Sequence, residues 1–271
     1  MELLRLYIQV LAETTNWMAS TSAPGILDRL FRHELARARG AVTFVTFNHD
    51  LVLENAIARV VPPKNTWCLR SLYGDPNLDQ IIPEDRDMVF PHHTDSCPHT
   101  PPATVLKLHG SLNWVVRTAS RQPRLGTLFP GRNKTILMHN EKEFSDIATL
   151  RSSKARGRKK WYLWPLIAPP IYDKSRITGM AVLDSLWHAA ADAIRSADRL
   201  LLLGYSLPDA DGLATQMLRA SYFSNKSLDA VDCVDPDPAL ASKIGEGSSL
   251  AQSASTATLK RTSACRVDRR S

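Results

Sequence analysis

The chain has no run of eighteen or more apolar residues, which excludes an ordinary transmembrane helix and any membrane partner that needs one. Its 4 cysteines, Cys68, Cys97, Cys233 and Cys265, are scattered, and no Cys-x-x-Cys pair occurs. That spacing argues against a disulfide framework and against a zinc ribbon, and a reducing cytoplasm is the expected setting. Nothing in residues 1–40 reads as a phosphate-binding glycine loop. The Gly-x-Gly at Gly245-Glu246-Gly247 precedes no helical pattern and lies near a polar tail. The opening segment is no secretory signal either, because Glu2, Arg5 and Gln9 break its apolar residues.

What is present is an apolar content of 44% over 271 residues, enough to build a core for one large domain or two small ones. The net charge of +7 is unevenly spread. Arg151, Lys154, Arg156, Arg158, Lys159 and Lys160 crowd together, and Arg261, Arg266, Arg269 and Arg270 crowd the tail. Such runs can bind nucleic acid, and Trp161, Tyr162 and Trp164 follow the first one as stacking surfaces. The expected reading is a solvated loop leading into a strand at Trp164-Pro165-Leu166-Ile167.

The clearest pattern is Val42-Thr43-Phe44-Val45-Thr46-Phe47, apolar or β-branched throughout, which reads as a buried parallel strand. Asn48-His49-Asp50 follows at its carboxyl end. Leu51, Ala56, Ile57 and Val60 then recur at helical spacing. Strand, polar turn and helix form the half-unit of a doubly wound α/β sheet, whose ligands bind outside the carboxyl ends of the strands. By itself the turn also has a purely structural reading, in which Asn48 shapes it and Asp50 caps the helix. Two further strand ends carry similar polar clusters: Lys107-Leu108-His109-Gly110-Ser111, after Thr104–Leu108, and Gly204-Tyr205-Ser206-Leu207-Pro208-Asp209, after Leu200–Leu203.

Elsewhere, residues 1–40 read as two helices, with Leu3, Leu6, Val10 and Leu11 on one face of the first. Ile26, Leu27, Leu30, Phe31 and Leu35 point inward from the second. Residues 62–102 are irregular and proline-rich. Cys97-Pro98-His99 with His92 and His93 has metal-ligand chemistry, but one cysteine among prolines closes no tetrahedron, so a surface loop and no metal are expected. Residues 117–160 read as an insertion. Leu183, Leu186, Trp187, Ala190, Ile194 and Ala197 define a strongly amphipathic helix. Asp209 or Asp211 caps a further helix whose inner side is Leu213, Met217 and Leu218. Ala230–Val234 is a last strand ending at Asp235-Pro236. From Gly245 the composition predicts disorder. The domain expectation is therefore one α/β domain over 1–244 and a tail over 245–271.

Taken in order, these clusters resemble the sirtuin-like family of NAD-consuming domains, in the branch found in bacterial defence proteins. Thr46-Phe47-Asn48-His49-Asp50…Glu54 resembles the family's Thr-x-Asn-x-Asp…Glu motif. Leu108-His109-Gly110-Ser111 resembles its catalytic His-Gly, and Gly204-Tyr205-Ser206-Leu207 its late Gly-Ser loop. The resemblance spans roughly residues 40–240. It implies a mostly parallel, doubly wound, Rossmann-like sheet. The family's opening strand and Gly-Ala-Gly-x-Ser turn are not found, so the sheet is expected to be incomplete at its first strand.

The activity implied is hydrolysis of NAD+ at the nicotinamide–ribose bond in antiviral defence, with NAD+ as substrate and no metal. The resemblance further implies a homo-oligomer or a sensor protein as partner. It gives catalytic roles to Asn48, His109 and Asp50, and cofactor contacts to Thr46, Gly110, Gly204, Ser206 and Asp235. Asn48 would hold ribose hydroxyls or orient a water, and His109 would accept a proton. The alternative is a non-catalytic module binding NAD+, ADP-ribose or a protein. An NAD-dependent deacylase comes third, since the four-cysteine zinc module of the deacetylases is absent from this sequence.

Overall fold

The computed structural model describes residues 4, 6–13, 25–38, 40–61, 69–73, 78–80, 101–123, 136–138, 148–151, 160–168, 181–205, 211–234 and 265–268. The chain is a mixed α/β protein with small parallel pairings. It separates into two compact units, Met1–Trp187 and His188–Ser271. Among the described residues no helix is long and apolar enough to cross a membrane.

In the first unit, residues 6–13 form helix α1. It buries Ile8 and Ala12, with Tyr7 and Leu11 half-buried beside them, and leaves Leu6 and Val10 exposed. The inward stripe is therefore turned from the expected face of Leu6 and Val10, because Tyr7 and Ile8 take the contact with Leu51, Leu112, Trp164 and Ile167. Helix α2 (Ile26–Arg37) follows Gly25, whose N–H is accepted by Asp28 Oδ2 at 3.0 Å. Asp28 is also gripped by two guanidinium bonds from Arg59, at 3.0 and 2.8 Å. The Arg59 guanidinium, the Gly25 N–H and the charge of Arg32 hold the Asp28 carboxyl below its usual range, against the opposing effect of burial. This pair ties α2 to helix α3 (Val52–Val60).

Strand β1 (Thr43–Thr46) pairs in parallel with β3 (Thr104–Lys107), in the register Thr43 with Thr104 through Thr46 with Lys107. The parallel pairing matches the reading from sequence, but β1 is only half-buried, with Thr43 exposed. Between these strands in the chain lie the short helix α4 (Leu69–Leu72) and β2 (Leu78–Gln80). Five strands form the second sheet in the order β2-β5-β4-β7-β6, with β4 (Gly110–Thr118), β5 (Ile136–Met138), β6 (Ala148–Arg151) and β7 (Lys160–Ile167). The β4–β5, β4–β7 and β6–β7 pairings are antiparallel and only β2–β5 is parallel. Leu112 to Val116 thus continue as strand. The described parts of the expected insertion supply sheet strands. Leu112, Trp114, Trp164 and Leu166 are fully buried between these strands and their cover.

Helix α5 (Ala181–Ser196) carries the boundary between the units. Its buried residues Val182, Leu183, Leu186, Trp187, Ala190 and Ile194 follow the stripe read from sequence, and His188, Asp192 and Arg195 are exposed.

In the second unit, β8 (Arg199–Leu203) and β9 (Ala230–Val234) pair in parallel. Leu200 and Leu202 pack on Leu228 and Val231, while Leu203 is exposed, so β8 is half-buried and not the fully buried strand its four leucines imply. Helix α6 (Gly212–Ser224) starts at Asp211 and buries Ala214 and Ser221, leaving Leu213, Met217 and Leu218 half-covered. Asn225 fastens the helix end by donating to the carbonyls of Ile194 and Ala197 at 2.6 and 2.8 Å. Inside the tail expected to be disordered, β10 (Cys265–Asp268) pairs antiparallel with β9.

Candidate functional site

Both strands of the β1–β3 pair stop at the same level, and their hydrogen bonding carries on into the loops. Leu108 N donates to Thr46 O at 3.0 Å, and Leu112 N donates to His49 O at 2.9 Å. With Thr46 opposite Lys107, Asn48 and His109 hold corresponding positions just beyond the carboxyl ends. Thr46, Asn48, Asp50, His109 and Gly110 are thereby gathered at one end of one parallel pair.

Their environments differ. Asn48 is exposed, and its backbone N–H donates to Thr46 Oγ1 at 3.1 Å. Asp50 Oδ1 accepts the Val52 N–H at 3.1 Å, a turn bond from the residue before the N-cap, which is Leu51 and not Asp50. His109 is buried, and its ring lies among those of Phe47, His49 and Trp187 at centroid distances of 5.2, 6.0 and 6.1 Å. His49 is buried between His109 and Tyr7, whose ring is 6.0 Å away and edge-on. Burial, the neighbouring His109 and the Lys107 ammonium push the His49 imidazole down to about 3, against hydrogen bonds to the backbone of Gly110 and His109. His49 is therefore neutral at ordinary pH, and its Nδ1 has no hydrogen-bond partner among the described residues. Burial and the nearby Asp50 carboxylate raise the Tyr7 hydroxyl.

Gly110 has φ +84, and a Cβ added there would lie 2.1 Å from the carbonyl oxygen of Leu166. Its small size serves a close backbone approach to β7 as well as the turn after His109.

Beneath the loops runs a buried polar network that sequence reading did not find. Lys107 Nζ donates to Glu54 Oε1 at 2.9 Å and to the carbonyl oxygen of Asp50. Tyr73 donates to the same Glu54 oxygen at 2.9 Å. Asn113 Nδ2 donates to the Tyr73 oxygen at 2.9 Å, and Ser111 Oγ donates to Asn113 Oδ1 at 2.6 Å. All five side chains are buried. Burial, followed by the Glu54 charge, raises Tyr73 well above its ordinary value. The available signal was Lys107 itself, a lone charge in the apolar strand Thr104–Leu108. Glu54 and Ser111, quoted above as motif residues, are parts of this scaffold.

The other named residues lie elsewhere. Gly204 belongs to the second unit, at the end of β8, with φ +58, and its N–H donates to Val234 O at 2.9 Å. Beside it, burial and the Asp211 carboxylate raise the Tyr205 hydroxyl. Ser206, Asp235, the His92–His99 cluster and most of the basic segment 151–160 lie outside the described residues. Among the described residues no group of three or more His, Cys, Asp or Glu side chains is arranged to hold a metal ion. No protein-family model, curated protein or solved structure matches this chain.

Proposed function

We propose that the chain is a sirtuin-like NAD+ glycohydrolase with a Rossmann-like, doubly wound ancestry, acting at the carboxyl end of β1 and β3. The observation that carries this reading is the placement of an exposed amide, Asn48, level with a buried imidazole, His109, at the ends of two parallel strands. That end of a parallel sheet is where α/β proteins hold their ligands. The order of the three polar clusters in the sequence adds to it.

The reaction is NAD+ plus water giving ADP-ribose, nicotinamide and a proton. The carbon–nitrogen bond to nicotinamide breaks through an oxocarbenium-like state, as in glycoside cleavage. The departing ring nitrogen keeps the bonding electron pair and is neutralised, so the leaving group needs no acid. Asn48 orients the ribose hydroxyls or the water, and His109 takes the proton the water loses. Asp50 supports the turn that presents Asn48. Defence by NAD+ depletion, a cytoplasmic setting, and an oligomer or sensor partner belong to this proposal.

A non-catalytic module binding NAD+ or ADP-ribose is the second reading. The test is NAD+ loss from purified parent, Asn48→Ala and His109→Ala proteins, with folding checked by circular dichroism. The proposal expects loss with the parent and at least about a hundredfold less with either variant, the scale of a missing general base. Equal loss with all three refutes the residue roles. Calorimetric binding without turnover transfers the site to the second reading.

A further inference from the structure

Trp187 sits on α5, buried in the first unit. Its indole N–H donates to the carbonyl oxygen of Leu108 at 3.0 Å. That carbonyl begins the peptide unit leading into His109. The unit leaving His109 is held as well, since its carbonyl accepts the Ala168 N–H at 2.9 Å. The backbone of His109 is therefore fixed on both sides, and on one side a side chain does it.

The same indole also walls the imidazole. Trp187, Phe47 and His109 form a triangle of rings, with Trp187 6.1 Å from His109 and 6.2 Å from Phe47, and Phe47 5.2 Å from His109. Filling space does not require the N–H bond. Trp114 and Trp164 are at least as buried, and their indole N–H groups have no hydrogen-bond partner among the described residues. Trp187 alone of these three spends its donor, and it does so on the peptide before His109.

We propose that Trp187 is a positioning residue for His109, fixing the peptide before it through the indole N–H and confining its ring together with Phe47. The catalytic consequence rests on the reading of His109 as the proton acceptor. An imidazole displaced by about 1 Å loses on the order of a hundredfold in rate, while substrate affinity, which depends on other groups, changes little.

The test uses the full chain as parent, Trp187→Leu, Trp187→Phe and, as a control on the same buried helix face, Leu183→Ala. Thermal unfolding, kcat and KM for NAD+, and the His109 ring-proton shifts by NMR (assigned with His109→Gln) are measured for each. The expected result for Trp187→Leu is a kcat loss of roughly 10- to 100-fold with KM within about threefold, and loss of the ring-current shift on His109. Trp187→Phe keeps the wall without the N–H and falls between, and it decides the matter if the leucine variant does not fold. Leu183→Ala lowers the unfolding temperature without moving the His109 protons. The proposal is overturned if Trp187→Leu and Leu183→Ala lose activity only in step with stability, or if the His109 shifts are the same in every variant. A parent that does not consume NAD+ removes the hydrolase reading, and the His109 shifts of Trp187→Phe, which keeps an aromatic ring and loses only the N–H bond to Leu108, then decide the positioning claim.

Discussion

Gly110 and His49 are the two residues whose roles change most once their surroundings are known. At Gly110 a positive φ coincides with a backbone contact that leaves no room for a Cβ. Gly110→Ala is expected to destabilise the protein by about 3 kcal/mol or more, since both left-handed strain and a clash with Leu166 must be relieved. Urea unfolding measures this, and a loss below about 1 kcal/mol would contradict it. The sequence announced a glycine at a strand end but not its neighbour, because Leu166 lies far along the chain. His49 stood inside the motif as an unassigned residue. With its folded value near 3 against an ordinary 6.5, the unfolded chain takes up a proton that the folded chain refuses as pH falls through that window. Stability should therefore decline on acidification below about 6.5, by up to about 1.4 kcal/mol per pH unit from this group. His49→Phe should flatten that part of the profile, measured by urea unfolding at several pH values. An unchanged slope would show that His49 is not the group responsible.

At the level of elements, the Lys107–Glu54 pair connects β3 to α3 under both loops. Lys107→Met should cost about 3–5 kcal/mol, because it leaves the Glu54 carboxylate buried without its cation. The double variant Lys107→Met/Glu54→Leu should recover part of that loss, since it removes the stranded charge. If unfolding midpoints show the two substitutions adding independently, the pair does not act as a unit. Local pattern was enough to read β1, β3 and α5, each set by contiguous periodicity, and to place the start of α6 at Asp211, although that side chain makes no capping bond. It could not give the polar network, whose partners Tyr73, Glu54, Lys107 and Asn113 come from separate elements. Nor could it give the antiparallel sheet, where β5 and β6 are short strands within a polar stretch and owe their place to pairing with β4 and β7. The stripe on α1 misled for a related reason: several helical faces were apolar, and tertiary contact with Leu112 and Trp164 selected the one containing Ile8.

For the whole molecule, the division at Trp187 falls within α5, a helix that reads from sequence as uninterrupted. A continuous periodic pattern carries no mark of such a boundary. Asn48 and His109 were both legible as polar residues at strand ends, and the first unit places them level with each other. The chemistry assigned to them is tested most directly by incubating the purified full chain with NAD+ and quantifying products by chromatography. The account predicts nicotinamide and ADP-ribose released in equal amounts by the parent, and at least about a hundredfold less of both by folded Asn48→Ala or His109→Ala. NAD+ recovered intact from the parent, or the same products at the parent's rate from the variants, would contradict it.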